Sequence, residues 1–293
     1  EQVIPMQTSR VQALLDQQQC IVFPGVYDTL SAKIVEKVGF PMAFISGYAV
    51  SATAIGEPDM GLLTQTEILA SARTICKSVN IPIIVDADTG YGNPLNVIRT
   101  IRELIDLSAA GCILEDQEWP KKCGHMRGKR VIDRQEYLDK IRAASDTRGD
   151  ADFFIIARTD ALASLGMDEA IARMTGAREC GADASFVEAP NSLDEMATIC
   201  QRAPAPRLAN MIEKGKTPVL PKEKLIEIGY QLIEYPLTGL YAAASALESI
   251  YQKLLDDQTT IGAEAQMMAF DQFNELIGVD KQFSVAEEYG VQL

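Results

Sequence analysis

The sequence predicts an α/β protein whose eight strand–helix units close into a (β/α)₈ TIM-type barrel. Three observations carry this expectation. Short apolar runs recur at intervals of about 25 to 45 residues, helical patterns separate them, and polar residues follow the runs. Brief apolar strands alternating with helices indicate a parallel sheet buried on both faces. Eight such units favour closure over an open doubly wound sheet.

Taken in order, the strands are expected at residues 21–23, 43–45, 81–85, 112–114, 153–157, 184–187, 207–209 and 231–233. Helices are expected at 67–77, 94–109, 134–145, 167–180 and 193–200, with Gly39, Gly111, Gly181 and Gly229 read as helix stops. Beyond the strands lie Asp28, Ser46-Gly47-Tyr48, Asp86 and Asp88, Glu115-Asp116, Arg158 and Asp160, Glu188, Asn210 and Tyr235. An active barrel gathers its catalytic groups at that rim; the alternative for any one of them is a helix N-cap. Residues 236–255 read as the eighth helix. An amphipathic segment at 263–277 is surplus to the barrel and needs a partner. No linker or composition break interrupts the chain, so one domain spanning 1–293, with 258–293 as a C-terminal helical tail, is the simplest division.

A chain of 293 residues with 47% hydrophobic content can bury a large core. Its formal charge of -14 argues against nucleic acid and against an anionic membrane surface. No apolar stretch approaches the roughly 18 to 20 residues a membrane span needs. Glu1-Gln2-Val3-Ile4-Pro5 lacks the basic start of a secretion signal. Six cysteines without a CxxC pair, and a single histidine, leave no zinc-site spacing and favour a reducing cytoplasm. Cys20, Cys112 and Cys180 read as small buried hydrophobes.

Cys123 differs, because its neighbours are charged. It lies in Lys121-Lys122-Cys123-Gly124-His125-Met126-Arg127-Gly128-Lys129, where five of the ten residues 121–130 are cationic and His125 is the chain's one imidazole. A basic patch on an acidic protein suggests an anionic ligand. Asp86 and Asp88 end the third strand, and two like charges at i and i+2 need a cation. Glu115 and Asp59 would complete an oxygen-rich site suited to Mg²⁺. The alternative is a pair of turn-forming aspartates before Gly90.

Together Ser46-Gly47-Tyr48, Val85-Asp86-Ala87-Asp88-Thr89-Gly90, Glu115-Asp116-Gln117, Lys121-Lys122-Cys123-Gly124-His125, Ala157-Arg158-Thr159-Asp160-Ala161, Val187-Glu188-Ala189-Pro190 and Asn210-Met211-Ile212 resemble the isocitrate lyase/phosphoenolpyruvate mutase superfamily. Trp119-Pro120, Met126-Arg127-Gly128-Lys129 and Asn274-Glu275-Leu276-Ile277 are most similar to its petal death protein, oxaloacetate hydrolase and 2,3-dimethylmalate lyase branch. The resemblance implies Mg²⁺, with Mn²⁺ as the substitute, held by Asp86, Asp88, Glu115 and Asp59, partly through water. It implies a homotetramer made of two dimers that exchange the eighth helix. Ser46, Gly47, Tyr48, Asp88, Gly124, Arg158, Glu188 and Asn210 would position a small dicarboxylate. Cys123 would be the general acid on a loop hinged by Gly124 and Gly128, with Lys121, Lys122 or His125 tuning the thiol, and Tyr48 or a water on the metal would be the base.

The resemblance also narrows the chemistry. Carbon–carbon lyases must protonate an enolate, whereas phosphonate mutases need no carbon protonation and lack the cysteine string. Tricarboxylate-cleaving methylisocitrate lyases carry an arginine where this chain has Tyr241 and another in the C-terminal helix, where no Lys or Arg occurs between Lys253 and Lys281. The expected activity is cleavage of oxaloacetate or 2-alkylmalates. The alternatives are methylisocitrate cleavage, with a third carboxylate taken by Arg127, Lys129 or Lys216, then a phosphonate mutase or hydrolase, and last a catalytically idle barrel. For single residues the blander readings are a rim ion pair for Arg158 and Asp160, a brace for Arg158 in Glu188, a helix cap in Asn210, and packing of the loop base for Trp119.

Overall fold

A computed structural model describes residues 9–292; the 1–5 stretch considered above lies outside them. Eight parallel strands form the barrel: β1 (Ile21–Val26), β2 (Ala43–Ile45), β3 (Ile83–Asp86), β4 (Gly111–Glu115), β5 (Phe154–Thr159), β6 (Ala184–Val187), β7 (Leu208–Asn210) and β8 (Leu232–Tyr235). Their order is β6-β5-β4-β3-β2-β1-β8-β7, and a parallel bridge between Ser185 and Arg207 brings the two outer strands together, nearly closing the ring. All eight expected strands are present, with ends within a few residues of those read from the apolar runs.

The connecting helices are α1 (Arg10–Gln17), α2 (Thr29–Val38), α3 (Gly47–Val50), α4 (Gln65–Ser78), α5 (Pro94–Asp106), α6 (Arg134–Arg148), α7 (Leu162–Leu165), α8 (Met167–Glu179), α9 (Leu193–Arg202), α10 (Lys222–Ile228), α11 (Thr238–Asp257), α12 (Phe270–Ile277) and α13 (Val279–Glu288). Local chemistry starts several of them. Thr64 and Glu67 form a capping box on α4, and Asn93 caps α5 with Pro94 in the first turn. Asp28 likewise caps α2, accepting from Ser31 N at 2.7 Å, so it serves the helix and not the rim. Gly39 and Gly229 end α2 and α10 in the left-handed conformation at φ 100° and 117°. Gly111 is no helix stop: it opens β4, where a Cβ would stand 2.2 Å from the Phe154 carbonyl oxygen. Cys20 and Cys112 are buried as expected, whereas Cys180 is only half-buried.

Strand alternation sorts the side chains into two cores. Ile21, Phe23, Phe44, Ile84, Ile113, Ile156, Phe186, Leu208 and Leu232 pack in the barrel interior, and Val11 of α1 joins them from below. Residues of the opposite parity, such as Val26, Ile45, Val85, Leu114 and Ile155, meet the helices. Stepping two residues up from the inner core gives Ser46, Asp86, Glu115, Arg158, Glu188, Asn210 and Glu234 in turn. The candidate site is therefore the next layer of the barrel interior, where apolar filling gives way to polar groups.

Helices α11, α12 and α13 contain no buried residue. Tyr251 and Leu255 on α11, Phe270 on α12 and Phe283 on α13 are among their exposed apolar side chains. The expected tail segment is broken into a short 3₁₀ turn at Glu264–Gln266 and α12, and α13 continues beyond it. No helix of the described residues is long and apolar enough to cross a membrane.

Candidate active site

The polar layer encloses a small cavity of about 40 Å³. Ser46, Tyr48, Asp59, Asp86, Cys123, Gly124, Arg158, Glu188, Asn210 and Glu234 line it. It thus gathers most of the residues picked from sequence. The β2–α3 turn supplies Gly47 N, which donates to Asp86 Oδ2 at 3.2 Å, while Ser46 caps α3 through Ala49 N. A Cβ on Gly47 would lie 2.7 Å from that carboxylate oxygen, so glycine permits the approach. The strand ends at Asp86. Asp88 lies past it in a turn at φ 47°, which replaces the expectation that a strand aims both carboxylates to one side. The turn does the joining: Asp88 N donates to Asp86 Oδ1 at 3.1 Å.

Asp59, Asp86, Asp88 and Glu115 form an anionic cluster. Lys121 Nζ lies 2.6 Å from both Asp59 Oδ1 and Asp88 Oδ1, with its side chain 4% exposed. Lys121 is therefore engaged with the carboxylates. One ammonium does not balance the cluster. Burial, opposed by Lys121 and reinforced by Asp86 and Asp59, pushes the Asp88 carboxyl up to about 7. Burial also raises Glu115 well above its usual range, and Glu115 Oε1 is buried without a hydrogen-bond partner. An all-oxygen donor set short of positive charge fits Mg²⁺ or Mn²⁺. Among the described residues, no three His, Cys, Asp or Glu side chains converge tightly enough to enclose an ion alone. Such a site suits a cation that keeps several waters.

Next to Glu115, on the neighbouring strand, Arg158 is shared by three carboxylates: Glu115 at 3.3 Å, Asp160 at 3.0 Å and Glu188 at 3.5 Å. Its guanidinium also stands 5.3 Å from the centre of the Phe186 ring. Burial disfavours the Glu188 anion, yet Arg158 and His125 hold its carboxyl well below the usual range. Asn210 donates to Glu188 at 3.2 Å rather than capping a helix. Tyr137 and Asp116 support this cluster from behind: the Tyr137 hydroxyl donates to the Arg158 carbonyl at 2.8 Å, and Asp116 accepts from Asp160 N at 2.8 Å.

Residues 121–130 lie closed over the cavity. Cys123 N donates to the Asp59 carbonyl at 3.0 Å, and the segment fits against the rim because position 124 has no side chain. A Cβ there would stand 2.4 Å from Glu188 Cγ and 2.6 Å from Arg158 Nη2. Gly124 is thus needed for close approach, while Gly128 alone takes a left-handed turn, at φ 73°. His125 Nδ1 accepts from Lys216 N at 2.9 Å and its Nε2 lies 3.1 Å from Glu188 Oε1. Lys122 Nζ donates to the Gly128 carbonyl at 3.4 Å. Burial pushes the Cys123 thiol up to about 11, although the His125 backbone N–H donates to it. The hydroxyl of Tyr48 meets that of Tyr241, which burial and this contact push up to about 12. Trp119 is 45% exposed, with its ring 5.8 Å from that of Tyr91 at the loop base.

Several expectations are revised. Lys129 Nζ is committed to Asp160 at 2.6 Å and Lys216 Nζ to the Met126 carbonyl at 3.4 Å, so neither stands free for a third carboxylate; Arg127 is exposed. Tyr235 faces outward, and its neighbour Glu234, which was not singled out, faces the cavity. Burial, helped by Glu188, raises the Glu234 carboxyl well above its ordinary value. Its signal was present in the alternation of β8, where Leu232 points inward and the next inward position is Glu234.

A family model described as phosphoenolpyruvate phosphomutase matches residues 11–255. Carboxyvinyl-carboxyphosphonate phosphorylmutase of Arabidopsis thaliana is 49% identical over 96% of this chain and 86% of its own. Petal death protein of Dianthus caryophyllus is 48% identical, covering 94% and 87%, and 2,3-dimethylmalate lyase of Eubacterium barkeri is 42% identical, covering 96% and 97%. The solved structure of an oxaloacetate acetylhydrolase with the inhibitor 3,3-difluorooxalacetate superposes with a TM-score of 0.90 at 34% identity, covering 97% of each chain.

Proposed function

The chain belongs to the phosphoenolpyruvate mutase/isocitrate lyase superfamily, and within it we propose a Mg²⁺-dependent enzyme that breaks the C2–C3 bond of oxaloacetate or of 2-alkylmalates. The observation that carries this reading is the half-buried Cys123 thiol, whose acid form burial favours, beside a cavity lined by Asp59, Asp86, Glu188 and Glu234 together with Arg158. Superfamily members use Mg²⁺. When bound by Asp86 with Asp59, Asp88 and Glu115, the cation supplies Lewis-acid stabilisation to the developing enolate.

The chain's own residues account for the rest. Arg158, held by Glu188 and Asp160, takes a substrate carboxylate, and Ser46 and Asn210 orient the polar ends. Tyr48, as the phenolate left once its own proton has passed to solvent, or a water in its place, takes the proton of the C2 hydroxyl, either that of a malate or one of hydrated oxaloacetate. As C2 becomes a carbonyl, the C2–C3 bond breaks and its electron pair moves onto C3 as an enolate. The Cys123 S–H proton then passes to C3, and the thiolate regains a proton from solvent. A thiol near 11 remains a proton donor at neutral pH. The closed loop keeps water from the enolate.

The assembly that accompanies this reading is a homotetramer whose subunits exchange α11. Its support is a 20-residue helix with no buried residue and a run of exposed apolar side chains that requires a cover. The six free cysteines fit a reducing compartment such as the cytoplasm.

The Arabidopsis relative's name favours a second reading, phosphorus–carbon chemistry, against which Cys123 stands. Incubation with Mg²⁺ and, separately, oxaloacetate, 2-methylmalate, 2,3-dimethylmalate, methylisocitrate and phosphonopyruvate, with products read by NMR, decides between them. Oxalate with acetate, or pyruvate with a short carboxylate, is expected. Turnover of phosphonopyruvate alone, or of methylisocitrate alone, would overturn the proposal.

A further inference from the structure

Arg158 faces more negative charge than it can neutralise. Glu115, Asp160 and Glu188 all lie within 3.5 Å of one guanidinium. A substrate carboxylate arriving there would be a fourth anion. The surplus is relieved by Lys129, from the C-terminal stem of the loop, whose Nζ lies 2.6 Å from Asp160 Oδ1 with its side chain 2% exposed.

Asp160 cannot follow the loop. Its backbone N–H is tied to Asp116, which is itself held by Arg173 Nη1 at 3.1 Å and by the Thr159 hydroxyl. Asp160 and Arg158 are thus fixed to the barrel, whereas Lys129 belongs to the segment that also carries Cys123 and Gly124 to the cavity. Asp160 also draws on Arg158, through Nε at 3.0 Å and Nη2 at 3.3 Å, and would depend on that guanidinium alone if Lys129 were withdrawn. With the loop closed, Lys129 neutralises Asp160 and leaves the guanidinium's charge for the ligand.

We propose that Lys129 is a positioning residue that makes the affinity of Arg158 for a substrate carboxylate conditional on loop closure. Ligand and loop then reinforce one another by linkage: whatever closure adds to anion affinity, the bound anion returns to closure. The inference rests on the reading that Arg158 receives the substrate carboxylate.

Oxalate, a product expected of oxaloacetate cleavage, is the probe. Its binding in the presence of Mg²⁺ would be measured by calorimetry and by Trp119 fluorescence for the wild type, K129M, K129R, D160N and the double variant K129M/D160N, with unliganded melting curves for each. K129M is expected to bind oxalate about 10- to 100-fold more weakly, the scale of one charge-assisted interaction. K129R should recover most of the loss. The double variant should return to within a few-fold of wild type, because the neutral amide that replaces the Asp160 carboxylate no longer competes for Arg158. With D160N alone as the reference, a lysine that merely packs the loop, or that touches the ligand itself, costs as much affinity in D160N as in the wild type, whereas one that acts through Asp160 costs little there. K129M binding like wild type, or K129M costing as much in D160N as in the wild type, overturns the inference alone. Failure of the wild-type protein to bind oxalate overturns the functional reading and the inference with it.

Discussion

Replacing Gly124 by alanine tests whether the closed loop is the working state. The added Cβ would stand 2.4 and 2.5 Å from Glu188 Cγ and Cδ and 2.6 Å from Arg158 Nη2. Ordinary carbon contacts lie near ~3.5 to 4.0 Å, so the segment must retreat by roughly 1 Å. Glu188 cannot yield, because Arg158, Asn210 and His125 all contact its carboxylate. Overpacking of this kind costs about 1 to 3 kcal/mol, and the open loop escapes that cost. The closed fraction therefore falls relative to the open one by about 5- to 150-fold. Cys123 is the adjacent residue, and a displacement of about 1 Å at a reacting group costs on the order of 10²-fold in rate. G124A should lose at least about 10²-fold in kcat/KM by these magnitudes. Its melting temperature should stay close to wild type, since opening relieves the clash. Stopped-flow quenching of Trp119 on adding Mg²⁺ and oxalate reads closure directly. A variant with wild-type kcat/KM and wild-type quenching would refute the reasoning.

Other consequences follow from the same geometry. Because burial raises the Cys123 thiol to about 11, the acid form is present throughout neutral pH and is lost only as pH rises through that value; kcat should show no thiol-dependent decline between pH 7 and about 9, and a limb near the ordinary thiol value of about 8.5 would contradict the closed-loop environment. Mg²⁺ should raise the melting temperature of the wild type by an amount that grows with concentration, as expected when only the folded state binds. D86N should lose most of that shift, and an equal shift would place the cation elsewhere. R173A leaves Asp116 buried without its cation, which is 3.1 Å away, and frees the Ile132 carbonyl; a loss of about 3 to 5 kcal/mol in urea unfolding is expected, with less than about 1 kcal/mol contradicting the network.

Much of this architecture could be read from residue patterns, because a barrel writes its strands as apolar runs and its site at their ends. Asp86, Glu115, Arg158 and Glu188 were legible since each follows a run by one or two positions. Asp28 and Tyr235 misled because proximity to a strand end does not fix direction: Asp28 turns down onto Ser31, and the inward parity of β8 belongs to Glu234. Asp88 was rightly grouped with Asp86 but for the wrong reason, a left-handed turn taking the place of strand pleating. The partnership of Lys129 with Asp160 was out of reach, since a closed loop joins residues that no local pattern relates. Gly124 could be recognised as special, although only the packing against Glu188 tells a close approach from a hinge.

The central claim, carbon–carbon cleavage with protonation by Cys123, is tested most directly with 2-methylmalate and Mg²⁺ in D₂O. The protons on C3 of this substrate do not exchange freely, so NMR of the released acetate counts deuterons delivered during turnover. The wild type should give pyruvate and acetate carrying one deuterium, and Cys123→Ser should release little acetate while retaining the Mg²⁺-dependent rise in melting temperature. Wild-type turnover by Cys123→Ser, or no cleavage of 2-methylmalate or oxaloacetate by the intact protein, would contradict it.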